Sequence, residues 1–286
     1  MKISHLIAGL ALILANPIHA VTYSDPPYDF ANNAFHDRPA LMRPVDVDGD
    51  DTLTLDLVVI FIQLDGFGYI GQDASFIYDR YFNTGFSGNN TAKYLEKASH
   101  GRVSLRPAVE TQGLVNDGIV IVDGGSAADG ALTYPEWRRL GLNLADDFID
   151  YRYYDDPVHG GDGDGRVSER ELAIVVIVGD TIPGVQRKGG QNSGVADPDR
   201  DHNGVKLNRS VVLIGNLDLN IAPTHEFMHQ VYGHTDLYGY AIGNWDIMGG
   251  IRGTSAFTKL LLGWTEPTVV SRDGWYTPVS YTHLTL

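Results

Sequence analysis

The sequence predicts an α/β fold, in which a twisted and mostly buried sheet is packed against helices. Three segments rich in Val, Ile and Leu have the composition of strands buried on both faces: residues 55–64, 172–178 and 211–214. Segments with helical periodicity lie between them. Strands that alternate with helices indicate one α/β domain rather than a chain of separate units.

The first predicted helix spans residues 90–98, with Asn90 as its N-cap, and ends at Ser99-His100-Gly101. A short strand is expected to follow from Arg102 to Leu105. This order of helix, small-residue turn and strand adds a further α/β step to the chain.

A longer helix is predicted to begin near Thr133, where Glu136 completes a capping box and Pro135 occupies the first turn. Its apolar face is expected to comprise residues at helical spacing, namely Trp137, Leu140, Leu144, Phe148 and Tyr151. Residues 180–210 are Gly-rich and polar, and are predicted to form one long loop. A further helix is predicted over residues 220–232.

This last helix carries the pattern His-Glu-x-x-His, with His225 and His229 four positions apart. Residues at that spacing lie above one another on a helix, so both imidazoles can reach one Zn²⁺ ion. Glu226 is then the candidate catalytic residue, as a general base acting on metal-bound water. The pattern also arises by chance on amphipathic helices, and the residues after it decide between the two interpretations.

The chain resembles the secreted immune inhibitor A-like metalloproteases in four pieces that occur in the family's order. The segments that carry the resemblance are 225–229, 233–238, 245–250 and 255–264. The resemblance implies a zincin or metzincin-like fold, in which the active-site helix carries the histidines and Met248 forms a Met-turn. It also implies a zinc endopeptidase that acts on protein or peptide substrates.

The third zinc ligand is where the sequence departs from that family. Three residues separate His229 from Gly233, one more than the family pattern, and this leaves His234 and Asp236 as candidates. Counted from Gly233, Asp236 aligns with the family's ligand, so Asp236 is the preferred prediction and His234 the alternative. The phenols of Tyr238 and Tyr240 are further candidates, as stabilisers of the oxyanion.

Acidic loops raise the question of Ca²⁺. Asp162, Asp164 and Glu171 fit positions three, five and twelve of an EF-hand loop, although Gly160 at position one has no carboxylate. Two further clusters have no Glu at the twelfth position and are better explained as solvated turns. They comprise Asp197, Asp199 and Asp201 in one case, and Asp46, Asp48 and Asp50 in the other.

Composition excludes several other functions. The 286-residue chain has a net charge of -15, which argues against a nucleic-acid partner, and 43% hydrophobic residues, which suits a globular core. It has no Cys, so a deformylase-type amidase, which needs a Cys ligand, is excluded. A non-enzymatic calcium-ordered surface or adhesion module with a vestigial metal site remains the alternative.

The predicted domain boundaries begin with a secretory signal over residues 1–20, with an apolar run too short to span a membrane. An irregular lead-in follows over residues 21–55, and then the catalytic domain over residues 56–276. Residues 277–286 resemble translated adapter sequence and are expected to be a non-native tail at a truncated C-terminus. A secreted protein is the resulting expectation.

Overall fold

The computed structural model describes ten ranges of the chain, all of which belong to one compact unit, residues 41–265. These ranges are residues 52–65, 73–87, 90–125, 132–178, 189–193, 202–214, 221–234, 236–238, 245–249 and 253–265. The predicted signal segment, nearly all of the lead-in and the C-terminal tail lie outside the described residues. So do Tyr240 and the two acidic clusters at 46–50 and 197–201.

The elements alternate between strands and helices along the chain. The strands are β1 (Leu53–Gln63), β2 (Val103–Pro107), β3 (Ile119–Asp123), β4 (Arg166–Val167), β5 (Ala173–Val178), β6 (Gly189–Ser193), β7 (Lys206–Leu207) and β8 (Ser210–Ile214). The helices are α1 (Ala74–Tyr81), α2 (Thr91–Ala98), α3 (Tyr134–Ala145), α4 (Arg152–Asp155), α5 (Ile221–Tyr232) and α6 (Ala256–Leu261). A 3₁₀ turn over Pro157–His159 follows α4.

Six of these strands form one mostly parallel sheet. Five of them follow the order β2-β1-β5-β8-β6, and the sixth, β3, pairs with β1. The first half of β1 pairs with β2 and its second half with β3, both in parallel. On its other side β1 pairs in parallel with β5, with Ile60 aligned with Val176, and only β6 runs antiparallel to its neighbour β8. This arrangement confirms the predicted α/β class.

Helices cover both faces of this sheet, which explains why β1 is continuously apolar and buried from Leu57 to Ile62. Alternate residues of β1 point to opposite faces, so Leu57 and Phe61 share a core with Phe227 of α5, whereas Ile60 packs in a second core with Trp137 of α3. α5 itself contacts β6 and β8. Among the described residues, no helix is long and apolar enough to cross a membrane.

Several local predictions are confirmed. The Asn90 carboxamide accepts a hydrogen bond of 2.8 Å from the Lys93 amide and caps α2. At the start of α3, the Thr133 amide donates to the Glu136 carboxylate at 2.6 Å, so the capping box forms. Strands β1, β5 and β8 match the three predicted apolar strands to within two residues at each end.

Two predictions are wrong in part. α3 ends at Ala145, so Phe148 and Tyr151 lie beyond the helix, although both still pack in the core with Trp137. Gly141 and Leu142 are buried on α3, whereas Leu140 and Leu144 are only partly buried against the same core. A Cβ atom at Gly141 would lie 2.8 Å from a methyl carbon of Val176, so the glycine lets α3 approach the sheet closely. The predicted loop over residues 180–210 contains strands β6 and β7, whose Gly-rich or very short sequences carry no strand signal.

Candidate metal centre

Helix α5 buries one face and presents its histidines on another. Phe227, Met228 and Val231 are at most 1% exposed and pack under the sheet. Gly233 ends the helix with φ of 61°, a left-handed conformation that a side chain would disfavour. The chain then turns back, and the amide of His234 bonds to the carbonyl of Met228 at 3.2 Å. This reversal returns the following residues to the histidine face.

Three side-chain atoms converge beside α5. His225 Nε2 and His229 Nε2 are 3.2 Å apart, and Asp236 Oδ1 lies 3.1 Å from the first and 3.3 Å from the second. His225 is 8% exposed and Asp236 is exposed, so the group is fixed on its inner side and open to solvent on its outer side. Of the two candidates for the third position, the structure therefore brings Asp236 to the histidines.

The dimensions of this triangle fit a tetrahedral metal ion. Nitrogen or oxygen ligands at about 2.0–2.1 Å from Zn²⁺ are about 3.3–3.4 Å from one another in a tetrahedron. The observed edges of 3.1–3.3 Å are close to that value. Two imidazoles and one carboxylate are also a donor set typical of catalytic zinc, which leaves a fourth position for water.

Hydrogen bonds behind the two histidines fix their tautomers. His225 Nδ1 is 2.7 Å from the carbonyl oxygen of Ile247, and His229 Nδ1 bonds to the carbonyl oxygen of His234. A carbonyl oxygen only accepts, so each Nδ1 carries the proton and each Nε2 presents a lone pair to the centre. Lone pairs that face one another at this distance repel, and a cation between them removes the repulsion.

The turn that contains Met248 supports the centre from below. Met248 is fully buried in the same core as α5, and its carbonyl accepts a hydrogen bond of 2.7 Å from the Leu237 amide. Leu237 is the neighbour of Asp236, so this bond anchors the segment that carries the carboxylate. The structure thus shows Met248 in the core on which α5 packs, and the Met-turn itself stays a prediction.

Glu226 and Tyr238 are the other predicted site residues in the described part of the chain. Glu226 follows His225 on α5 and is 8% exposed. Tyr238 is 62% exposed, stacks on the His225 ring with centroids 5.9 Å apart, and places its hydroxyl 3.5 Å from His225 Nε2. Partial burial, together with the charges of Asp236 and Glu226, raises the pKa of the Tyr238 phenol above its ordinary value. The phenol therefore stays a proton donor at neutral pH.

His234, the alternative ligand, has a different place. Its side chain is 3% exposed and is not one of the atoms that converge on the centre. Its contribution is the backbone carbonyl that accepts from His229 Nδ1. Backbone carbonyls leave no signature in a sequence, so this role and that of Ile247 were not predictable from residue types.

A second group of carboxylates lies in the loop between α4 and β5. Oxygens of Asp155, Asp162 and Glu171 lie within 4.8 Å of one another. The prediction named Asp162 and Glu171 but missed Asp155, which comes from α4 and has no spacing that would reveal it. Asp164 is outside this group, and its carboxylate closes a turn by accepting from the Arg166 amide at 2.8 Å.

The loop is not an EF-hand. α4 has only four residues, and Glu171 leads into strand β5 instead of a helix. The Glu171 carboxylate accepts from the amides of Asp162 at 3.0 Å and Ser168 at 2.6 Å, and so it already orders the loop. The partial fit to an EF-hand, already broken at Gly160, therefore does not extend to the structure, while a carboxylate cluster is present.

Comparison with known proteins adds no relative from which a function could be transferred. The chain matches none of the protein-family models against which it was compared, and no curated protein is significantly similar to it.

Proposed function

We propose that this protein is a secreted zinc-dependent endopeptidase. The observation that carries the proposal is the convergence of His225 Nε2, His229 Nε2 and Asp236 Oδ1 within 3.1–3.3 Å, with both Nδ1 atoms bonded to backbone carbonyls. The sequence resemblance to immune inhibitor A-like metalloproteases supports the same reaction. The secretory signal expected over residues 1–20 supports export.

His225, His229 and Asp236 would hold the ion. Zinc bound by such a set supplies a Lewis acid that polarises the substrate carbonyl and lowers the pKa of water. Glu226, next to His225, accepts the proton of the attacking water and delivers it to the leaving amine. Tyr238 donates a hydrogen bond toward the developing oxyanion, since its phenol remains protonated at neutral pH.

Glu226 also distinguishes this proposal from a non-enzymatic module with a vestigial metal site. A structural zinc ion needs ligands but no additional carboxylate beside them. Glu226 is 8% exposed and directly follows His225, one of the proposed ligands, where its carboxylate can act as the base. The enzyme is therefore the function that the site favours.

The test is hydrolysis of casein by the purified protein, with and without a zinc chelator, alongside Glu226→Gln. We expect the chelator to abolish activity and added Zn²⁺ to restore it. Glu226→Gln should retain the metal and lose about 10²- to 10⁴-fold in kcat, because only the base is removed. Glu96→Gln, which changes an exposed glutamate on α2, is the matched control and should leave both quantities unchanged.

Two results would contradict the proposal. Casein hydrolysis that resists the chelator, or that persists in Glu226→Gln, would show that another centre performs the reaction. Zinc loss in Glu226→Gln would instead mean that Glu226 serves the metal site and not the proton transfer.

A further inference from the structure

Asp246 is a fully buried carboxylate whose two oxygens tie together two backbone segments. Its Oδ1 accepts a hydrogen bond of 2.8 Å from the Met248 amide, and its Oδ2 accepts one of 2.8 Å from the Ser255 amide at the N-cap of α6. Hydrogen bonds to an ionised acceptor are about twice as strong as neutral ones. Asp246 therefore closes the turn 246–248 and holds it against α6.

The two residues after Asp246 supply the carbonyls that support the metal centre. The Ile247 carbonyl accepts from His225 Nδ1 at 2.7 Å, and the Met248 carbonyl accepts from the Leu237 amide at 2.7 Å. The first bond sets the tautomer and direction of His225, and the second anchors the segment that carries Asp236. Both bonds depend on the conformation of a turn that the Asp246 carboxylate closes.

The geometry points to Asp246 as the positioning residue of the metal centre, which acts on His225 and Asp236 through the turn 246–248. The inference rests on the proposed zinc site and names the residue that orients its ligands.

Asp246→Asn is the informative substitution, since it preserves size and removes the charge. The carboxamide has one oxygen and one NH₂ group, so one of the two backbone amides now faces a donor in place of an acceptor. The turn loses one of its closures. We expect zinc affinity, measured by competition with a chromophoric chelator, to fall about 10- to 100-fold, the range for loss of an outer partner.

Asp117→Asn is the matched control. Asp117 is 7% exposed, and its Oδ1 accepts from the amide two residues ahead, that of Ile119, at 2.8 Å, as Asp246 does from Met248. It precedes β3, which pairs with β1, whereas α5 packs on β6 and β8. The control removes the charge of a buried carboxylate, while its carboxamide oxygen can still accept from the Ile119 amide, and it should leave zinc affinity unchanged.

A second readout needs no metal. Long-range ¹⁵N–¹H NMR of the imidazoles in the metal-free protein should report His225 as the Nδ1–H tautomer in the wild type and in Asp117→Asn. In Asp246→Asn, the spectrum should show a mixture of tautomers. Failure of the wild type to bind zinc would overturn the proposed function, and the tautomer of His225 would still decide the role of Asp246.

Asp246→Glu provides a second test in case Asp246→Asn does not fold. It keeps the charge but displaces both acceptor oxygens, so folded Asp246→Glu should bind zinc more weakly than the wild type. Zinc affinity within twofold of the wild type in either folded variant, or an unchanged His225 tautomer in Asp246→Asn, would overturn the positioning role.

Discussion

The amide of Leu237 donates a hydrogen bond of 2.7 Å to the carbonyl oxygen of Met248, and this bond joins the segment of the third candidate ligand to the turn beneath the histidines. The same turn holds His225 through the carbonyl of Ile247. One short turn therefore supports two elements that are separated in sequence, α5 and the segment 236–238. This support comes from backbone carbonyls, so substitution of the Met248 side chain should affect the stability of the fold more than the zinc affinity.

Met248 is fully buried, so its side chain should matter mainly for stability. Met248→Ala should lower the free energy of unfolding by about 2–5 kcal/mol, because it leaves a cavity beneath α5. Met248→Leu, which conserves volume, should cost less than about 1.5 kcal/mol and keep zinc affinity. Urea denaturation measures the free energy of unfolding of both variants, and competition with a chromophoric chelator measures their zinc affinity. Equal costs for the two variants would mean that the sulfur, and not the packing, is what the site requires.

The identity of the third ligand can be tested by replacing each of the two candidates, Asp236 and His234, with alanine. Asp236→Ala should lower zinc affinity more than about 100-fold, which exceeds the usual effect of losing an outer partner. His234→Ala should bind zinc nearly as well as the wild type, since its contribution to His229 is a backbone carbonyl. Zinc content after dialysis, measured by atomic absorption, gives the answer. Zinc loss in His234→Ala with retention in Asp236→Ala would reverse the assignment.

In the metal-free protein, Tyr238 should remain protonated to higher pH than an ordinary tyrosine. Its pKa is raised, first by partial burial and then by the charges of Asp236 and Glu226. Ultraviolet titration of the metal-free wild type and of Tyr238→Phe measures this, and the difference in phenolate absorbance should reach half of its final value only above about pH 10. A midpoint at or below that pH would contradict the raised pKa.

Tyr238→Phe removes the donor and should lower kcat by about 10²- to 10³-fold at every pH up to about 9, with little change in KM. Tyr153→Phe, which changes a tyrosine stacked on His159, is the control and should leave kcat unchanged. If Tyr238→Phe retains full kcat, the phenol packs on His225 without serving the reaction.

The carboxylates of Asp155, Asp162 and Glu171 should bind Ca²⁺ and stabilise the fold. A ligand at 100 times its Kd stabilises the native state by about 2.7 kcal/mol, which should raise the melting temperature by several degrees. Asp155→Asn should abolish this shift. Asp123→Asn, which alters an exposed carboxylate that accepts from the Gly125 amide, should keep it. Identical wild-type melting in Ca²⁺ and in a calcium chelator would count against the site.

The strands of the sheet that are buried on both faces were predictable, because such strands have a continuous run of apolar residues. The apolar segments 55–64 and 172–178 predicted β1 and β5, because alternate residues of each strand pack in the two cores on opposite faces of the sheet. β6 could not be predicted, since Gly189–Ser193 is polar and flexible in composition and becomes a strand by pairing with β8. The overlong prediction for α3 has a similar cause: helical spacing continued to Tyr151, but Tyr151 is buried from a turn after the helix ends.

The candidate site was predictable to the extent that side chains carry it. The spacing of His225 and His229 follows from helix geometry, and counting from Gly233 selected Asp236, which the fold brings to both. The supporting atoms belong to the backbone of Ile247, Met248 and His234, and every residue type carries a backbone carbonyl, so the sequence does not mark them. Asp246 lies in the segment 245–250 that carries part of the family resemblance, but its bond to Ser255 joins two segments whose proximity only the fold reveals.

The central position of β1 has a consequence for how the chain must fold. β1 lies between β2 and β5, yet its partner β5 is made only after the whole of α1, α2 and α3 has been synthesised. Until then, a strand of eleven residues, apolar from Leu57 to Ile62, has one side of its backbone hydrogen bonds unpaired. Non-local parallel pairing of this kind is slow and leaves strand edges open to other chains. During synthesis, β1 should therefore be the segment that holdase chaperones bind first and release only when β5 arrives.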